Sequence, residues 1–153
     1  MRNLVLILIL GSVVLSCAAR VPSGSTTDGD DFDLAGYHRE RLKEFEQAKA
    51  VFSSADGISR TEARLLAQEY FALWISGCGY PEEPEDAGEY WISRPRIGYA
   101  GEAGEHLIRI EKSSGDVLYA PVGRTPAYLV LERAERRLQE NVERFARYGG
   151  TQK

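Results

Sequence analysis

Ile108-Arg109-Ile110-Glu111-Lys112-Ser113-Ser114-Gly115-Asp116-Val117-Leu118-Tyr119, residues 108–119, decides the fold. Side chains alternate between faces along a strand, so Ile108 and Ile110 share one face. The strand reading starts at His106 and runs to Glu111. Lys112-Ser113-Ser114-Gly115 supplies a turn, and Asp116–Tyr119 returns as the second arm of a hairpin. Towards the N-terminus, Ala100-Gly101-Glu102-Ala103-Gly104 reads as a glycine-rich turn. Glu89–Ser93 reads as a strand carrying Tyr90-Trp91-Ile92. Arg96–Tyr99 is its expected short partner across the Ser93-Arg94-Pro95 break. Tyr80–Gly88, with Pro81-Glu82-Glu83-Pro84-Glu85-Asp86 at its centre, reads as an acidic loop.

Helical patterns flank this block. Leu34 to Phe52 carries an apolar stripe of Leu34, Tyr37, Leu42, Phe45, Ala48 and Phe52, with Asp33 placed to cap it. Ile58 to Trp74 is stronger. Ser59 and Glu62 form a capping-box pair, Ile58 and Ala63 take the staple positions, and Leu66, Ala67, Tyr70, Phe71 and Trp74 recur at helical spacing. Gly77 and Gly79 end it. Thr125-Pro126 opens a last helix, Thr as N-cap and Pro in the first turn, with Leu131, Ala134, Leu138, Val142 and Phe145 as its buried stripe. Glu132–Arg136, Glu140–Arg144 and Glu143–Arg147 are spaced as helical ion pairs on its solvated face, and Gly149-Gly150 terminates it. Two helices, a group of strands and a closing helix, without alternation of strand and helix, predict an α+β fold with an antiparallel sheet. One sheet face is expected on the 58–74 helix. The other is either covered by residues 126–147 or partly open.

The first 17 residues obey other rules. Arg2 is followed by an apolar run from Leu4 to Leu10, then Gly11, Ser12 and small or apolar residues up to Cys17. This is the layout of a secretory signal, with a basic start, an apolar centre and a small-residue cleavage site. The ending Val14-Leu15-Ser16-Cys17 resembles the bacterial lipobox, which implies removal of residues 1–16 and acylation of Cys17, palmitate included. The apolar stretch falls short of the roughly 20 residues that a membrane span needs. The competing readings are an uncleaved anchor and an ordinary signal cut after Ala18 or Ala19. Two or more acyl chains hold a protein stably at a membrane. Alanine rather than aspartate at position 18 implies, by the same resemblance, the periplasmic face of the outer membrane. Residues 17–33 are small and polar, a flexible tether reaching about 20–24 Å. Residues 34–150 then form a single domain.

Without the signal the chain has 18 basic and 23 acidic residues, a net charge of −5. No basic block or aromatic-interleaved basic stripe occurs, so nucleic acid is not an expected partner. With Cys17 acylated, Cys78 has no partner within the chain and reads as an inert or buried thiol, intermolecular pairing being the alternative. His38 and His106 lie in no metal-ligand spacing, and the aspartates between Asp28 and Asp33 fail the calcium-loop pattern at three positions. No nucleophile elbow supports a hydrolase, and the carboxylates of residues 82–86 sit in a solvated loop, where nothing raises a pKa for acid catalysis. No catalytic residue, cofactor or metal is therefore expected.

Ser59-Arg60-Thr61-Glu62-Ala63-Arg64-Leu65-Leu66-Ala67, Tyr90-Trp91-Ile92, Gly101-Glu102-Ala103-Gly104 and Ile108-Arg109-Ile110-Glu111-Lys112-Ser113-Ser114-Gly115-Asp116-Val117 follow one another in an order that resembles the bacterial nuclear transport factor 2-like immunity proteins. It is also similar to PepSY domains, which share the helix and the hairpin. Glu102 and Ala103 between the glycines depart from the immunity pattern, and the last helix lies outside it. The resemblance implies a cystatin-like architecture of helices on a curved sheet, and a role in binding. The expectation is a non-enzymatic envelope lipoprotein that binds another protein, such as a toxin or cell-wall-degrading enzyme that it neutralises. The alternatives are a modulator of a peptidase or envelope sensor, and a structural or assembly lipoprotein. Trp91 (or Tyr90), Arg94, Arg96 and Tyr99 are the expected anchors, types enriched at interface hot spots. Alternation turns one of Tyr90 and Trp91 inward. Glu82, Glu83, Glu85 and Asp86 are the expected acidic contacts for a basic partner.

Overall fold

A capping box starts the central helix, as its sequence requires. The Glu62 amide donates to Ser59 Oγ (3.3 Å), and the Ser59 amide donates to Glu62 Oε2 (2.8 Å). A computed structural model describes residues 33–53 and 55–149. The signal segment, Cys17, the tether up to Phe32, and Gly150 lie outside the described residues. Helix α1 (Leu34–Ala50) is capped by Asp33, whose Oδ1 accepts from the Gly36 amide at 2.7 Å. Helix α2 (Arg60–Tyr70) passes into a π-helical turn, Phe71–Ile75, so the expected single helix to Trp74 changes its hydrogen-bond pattern at Phe71. Helix α3 spans Ala127–Gly149. Its start differs from expectation by a residue: Thr125 ends a strand, and the Pro126 carbonyl accepts from the amides of Leu129 and Val130. Of the three expected ion pairs on α3, Glu143–Arg147 closes, at 3.7 Å.

The strands are β1 (Gly79–Pro81), β2 (Glu85–Ala87), β3 (Tyr90–Ser93), β4 (Pro95–Ile97), β5 (Glu102–Ala103), β6 (Ile108–Glu111), β7 (Val117–Tyr119) and β8 (Gly123–Thr125). They form a five-stranded sheet in the order β2-β3-β6-β7-β8 and a three-stranded sheet β1-β4-β5, antiparallel throughout. The fold is α+β, helices on a small antiparallel sheet with a C-terminal helix. Three local expectations are corrected. Tyr80–Gly88 is not all loop, since its two ends are β1 and β2. The 95–97 strand does not pair with Tyr90–Ser93 but with β1, because the single residue Arg94 is too short a connection to reverse the chain. The glycine-rich segment contains β5.

Every buried side chain of the larger sheet belongs to one alternation: Ser93, Ile108, Ile110, Val117, Tyr119 and Thr125. Burying each of the isoleucines and Val117 contributes about 1.5–3 kcal/mol relative to exposure. They join Leu66, Ala67 and Tyr70 of α2 and Val130, Leu131 and Ala134 of α3 in one core. The helices therefore share one side of the sheet, and no described helix lies on its other face, where Tyr90, Ile92 and Leu118 are half-buried. Phe45 buries α1 against this layer. His38 of α1 stacks on Phe145 of α3 with ring centroids 4.5 Å apart. Burial, with Arg41 nearby, lowers its pKa from the ordinary histidine value.

Candidate protein-docking face

The register of the larger sheet lines up Glu85, Ile92, Arg109, Leu118 and Arg124 as directly opposed residues on five successive strands. Opposed residues share a face, and this row lies on the face away from the helices. Ile92 and Leu118 are half-buried, whereas Glu85, Arg109 and Arg124 are exposed. Alternation along β3 sets Tyr90 on the same face as Ile92. Arg94, next in that alternation, is exposed.

The cations here differ in what they meet. Arg124 is clamped: its Nε donates to Asp116 Oδ2 (2.7 Å) and its Nη2 to Glu111 Oε2 (2.6 Å). Those hydrogen bonds and charges, Asp116 first, raise its pKa above the ordinary arginine value. Arg109 sits between two apolar neighbours and makes no ion pair among the described residues. Arg94 makes none either.

The residues expected to bind a partner separate into several places. Trp91 turns inward, opposite Ile110, and its Nε1 donates to the Ile58 carbonyl at 2.7 Å. Lys112 Nζ lies 4.4 Å from its ring centroid. Tyr90 is thus the member of the pair that faces outward. Arg96, half-buried on β4, binds Glu82, its Nε donating to Oε1 at 2.6 Å. Glu83 pairs with Arg64 (3.3 Å) and Asp86 with Lys112 (2.6 Å). The hydrogen bond from Lys112, then that from the Gly88 amide, hold the Asp86 carboxyl below its usual range. Three of the four acids in the expected acidic surface are therefore matched by cations of the same molecule, and only Glu85 stands on the outer face. Tyr99, at the tip of the β4–β5 turn, is 88% exposed and stands apart on the smaller sheet.

Ile92, Arg109 and Leu118 were not among the expected contacts. The signal for Arg109 was present: with Ile108 and Ile110 turned into the core, the residue between them must face outward. Cys78 is half-buried and forms no disulfide with a described residue. Among the described residues no group of three or more histidine, cysteine, aspartate or glutamate side chains is arranged to hold a metal ion, and no helix is long and apolar enough to cross a membrane.

The arrangement defines an α+β domain in which one face of the larger sheet carries no helix among the described residues. No protein-family model, curated protein or solved structure matches the chain.

Proposed function

We propose that this chain is a non-enzymatic envelope lipoprotein that binds another protein through the outer face of its larger sheet. In line with the sequence resemblance, that binding would serve as immunity or inhibition against a toxin or a cell-wall-degrading enzyme. One observation carries the binding reading: Tyr90, Ile92, Arg109 and Leu118 lie together on a sheet face that no described helix covers. Apolar and aromatic side chains around an arginine are the composition of interface hot spots. Location at the envelope rests on the signal-like residues 1–17.

The test uses the full-length protein in its native cell. A photo-crosslinking amino acid is placed at Ile92 or Leu118, and at the exposed Gln139 of α3 as a control. The expected result is a discrete crosslinked species from the sheet positions that Gln139 does not give. Its absence, together with measurable hydrolytic activity of the purified protein, would overturn the reading. The anchor is tested separately: Cys17→Ser should abolish lipid labelling and release the protein to the soluble fraction.

A further inference from the structure

Resting on that docking reading, we infer that the partner presents an acidic surface: a carboxylate meets Arg109, with apolar side chains over Ile92 and Leu118. The acidic 82–86 segment points the other way, towards a basic partner. Its charges, however, are largely taken up within the domain, since Glu82, Glu83 and Asp86 each hold a cation of their own molecule. On the outer side Arg109 and Arg94 stand unmatched against a single unmatched acid, Glu85, so the balance left to a partner is positive.

The geometry narrows the contact. Adjacent strands lie about 4.8 Å apart, so Ile92 and Leu118 stand astride Arg109, roughly 10 Å from each other. An arginine flanked by apolar groups loses water when a partner covers it, and its planar fork then binds a carboxylate through two hydrogen bonds. Arg124 at one end of the row is committed to Asp116 and Glu111 and offers little to a partner. Glu85 at the other end repels an incoming acid. The carboxylate is therefore confined to the middle of the row, a constraint on orientation as well as on sign. Arg94, exposed beyond Ile92, adds attraction at longer range, which acts on the association rate.

The protein crosslinked at Leu118 is identified, purified and titrated against the acylated full-length chain. Arg109→Glu should weaken Kd by about 30-fold or more, the size of a hot-spot loss, and Arg109→Lys by less. Exchanging the crosslinked partner's facing Asp or Glu for Arg should restore binding to Arg109→Glu. Arg94→Glu should mainly slow association, the more so at low salt. Arg109 is exposed, so thermal melting should show both of its variants folded. Should crosslinks form at Ile92 and Leu118 while Arg109→Glu binds within about twofold of the parent or tighter, the acidic-partner inference fails and the docking face stands. Should neither position crosslink, the docking face itself fails.

Discussion

Glu69 Oε2 accepts a 2.7 Å hydrogen bond from Arg137 Nη2, joining α2 to α3 at a glutamate that is only 1% exposed. Its other oxygen accepts from Arg41 Nη2 of α1 at 3.1 Å. One carboxylate thus ties three helices. Removing it leaves Arg137 without its counter-charge and Arg41 with only Glu44, 3.7 Å away on α1. Glu69→Ala should destabilise the domain strongly, but short of the roughly 3–5 kcal/mol of a fully buried pair, because water reaches both arginines. Glu69→Gln should also destabilise, since its amide NH2 would confront one arginine. Urea midpoints check both. A change under about 0.5 kcal/mol, the range of ordinary surface substitutions, would contradict this role.

The Ser59–Glu62 cap makes stability depend on pH. Burial pushes the Glu62 carboxyl up, but hydrogen bonds from the Ser53 amide and from the Ser59 hydroxyl and amide outweigh it, so its pKa lies below the ordinary glutamate value. A folded-state pKa below the unfolded one stabilises at pH above the unfolded value, and the contribution is lost as pH falls through the folded value. Glu62→Gln should therefore flatten the acid limb of the stability curve. Ser59→Ala should cost about 0.5–2 kcal/mol at neutral pH.

Trp91 holds the backbone of Ile58 and should not touch the proposed partner. Trp91→Phe keeps an inward aromatic ring but removes the donor to the Ile58 carbonyl, at a cost of about 1 kcal/mol or somewhat more. Partner affinity should stay unchanged. A loss of affinity without a loss of stability would show that the indole acts at the interface.

Two glycines separate backbone freedom from space. Gly79 has φ +123°, and a Cβ there would lie 2.0 Å from the Arg96 carbonyl oxygen of the paired strand. Gly88 has φ +73° with nothing within 4 Å. Gly88→Ala should cost about 1–2 kcal/mol from the left-handed conformation alone. Gly79→Ala should cost more and disturb the smaller sheet, seen as faster amide exchange at Arg96 and Ile97.

The parts of the fold that the sequence revealed are those where local chemistry decides. Asp33 and the Ser59–Glu62 pair mark helix starts, and Ile108 with Ile110 marks a strand with one buried face. Strands β1, β2, β5 and β8 were hidden because each is two or three residues long and rich in glycine, proline or charge. Their pairing comes from neighbours distant in sequence. The outer row was hidden for the same reason, since two of its five members sit on β2 and β8. Alternation told that Tyr90 and Trp91 face opposite ways, but only the α2 side of the fold shows which of them is inside.

Arg94 is a single residue between β3 of one sheet and β4 of the other. Its carbonyl accepts from the Glu82 amide at 2.8 Å, and Ser93 Oγ donates to the Glu82 carbonyl at 2.6 Å. The chain thus changes partners at a stapled corner, without a hinge loop in which the sheets can swing. A partner of the proposed kind would meet a platform already in its final shape, so complex formation should show a single concentration-dependent phase, with no slow isomerisation after the encounter.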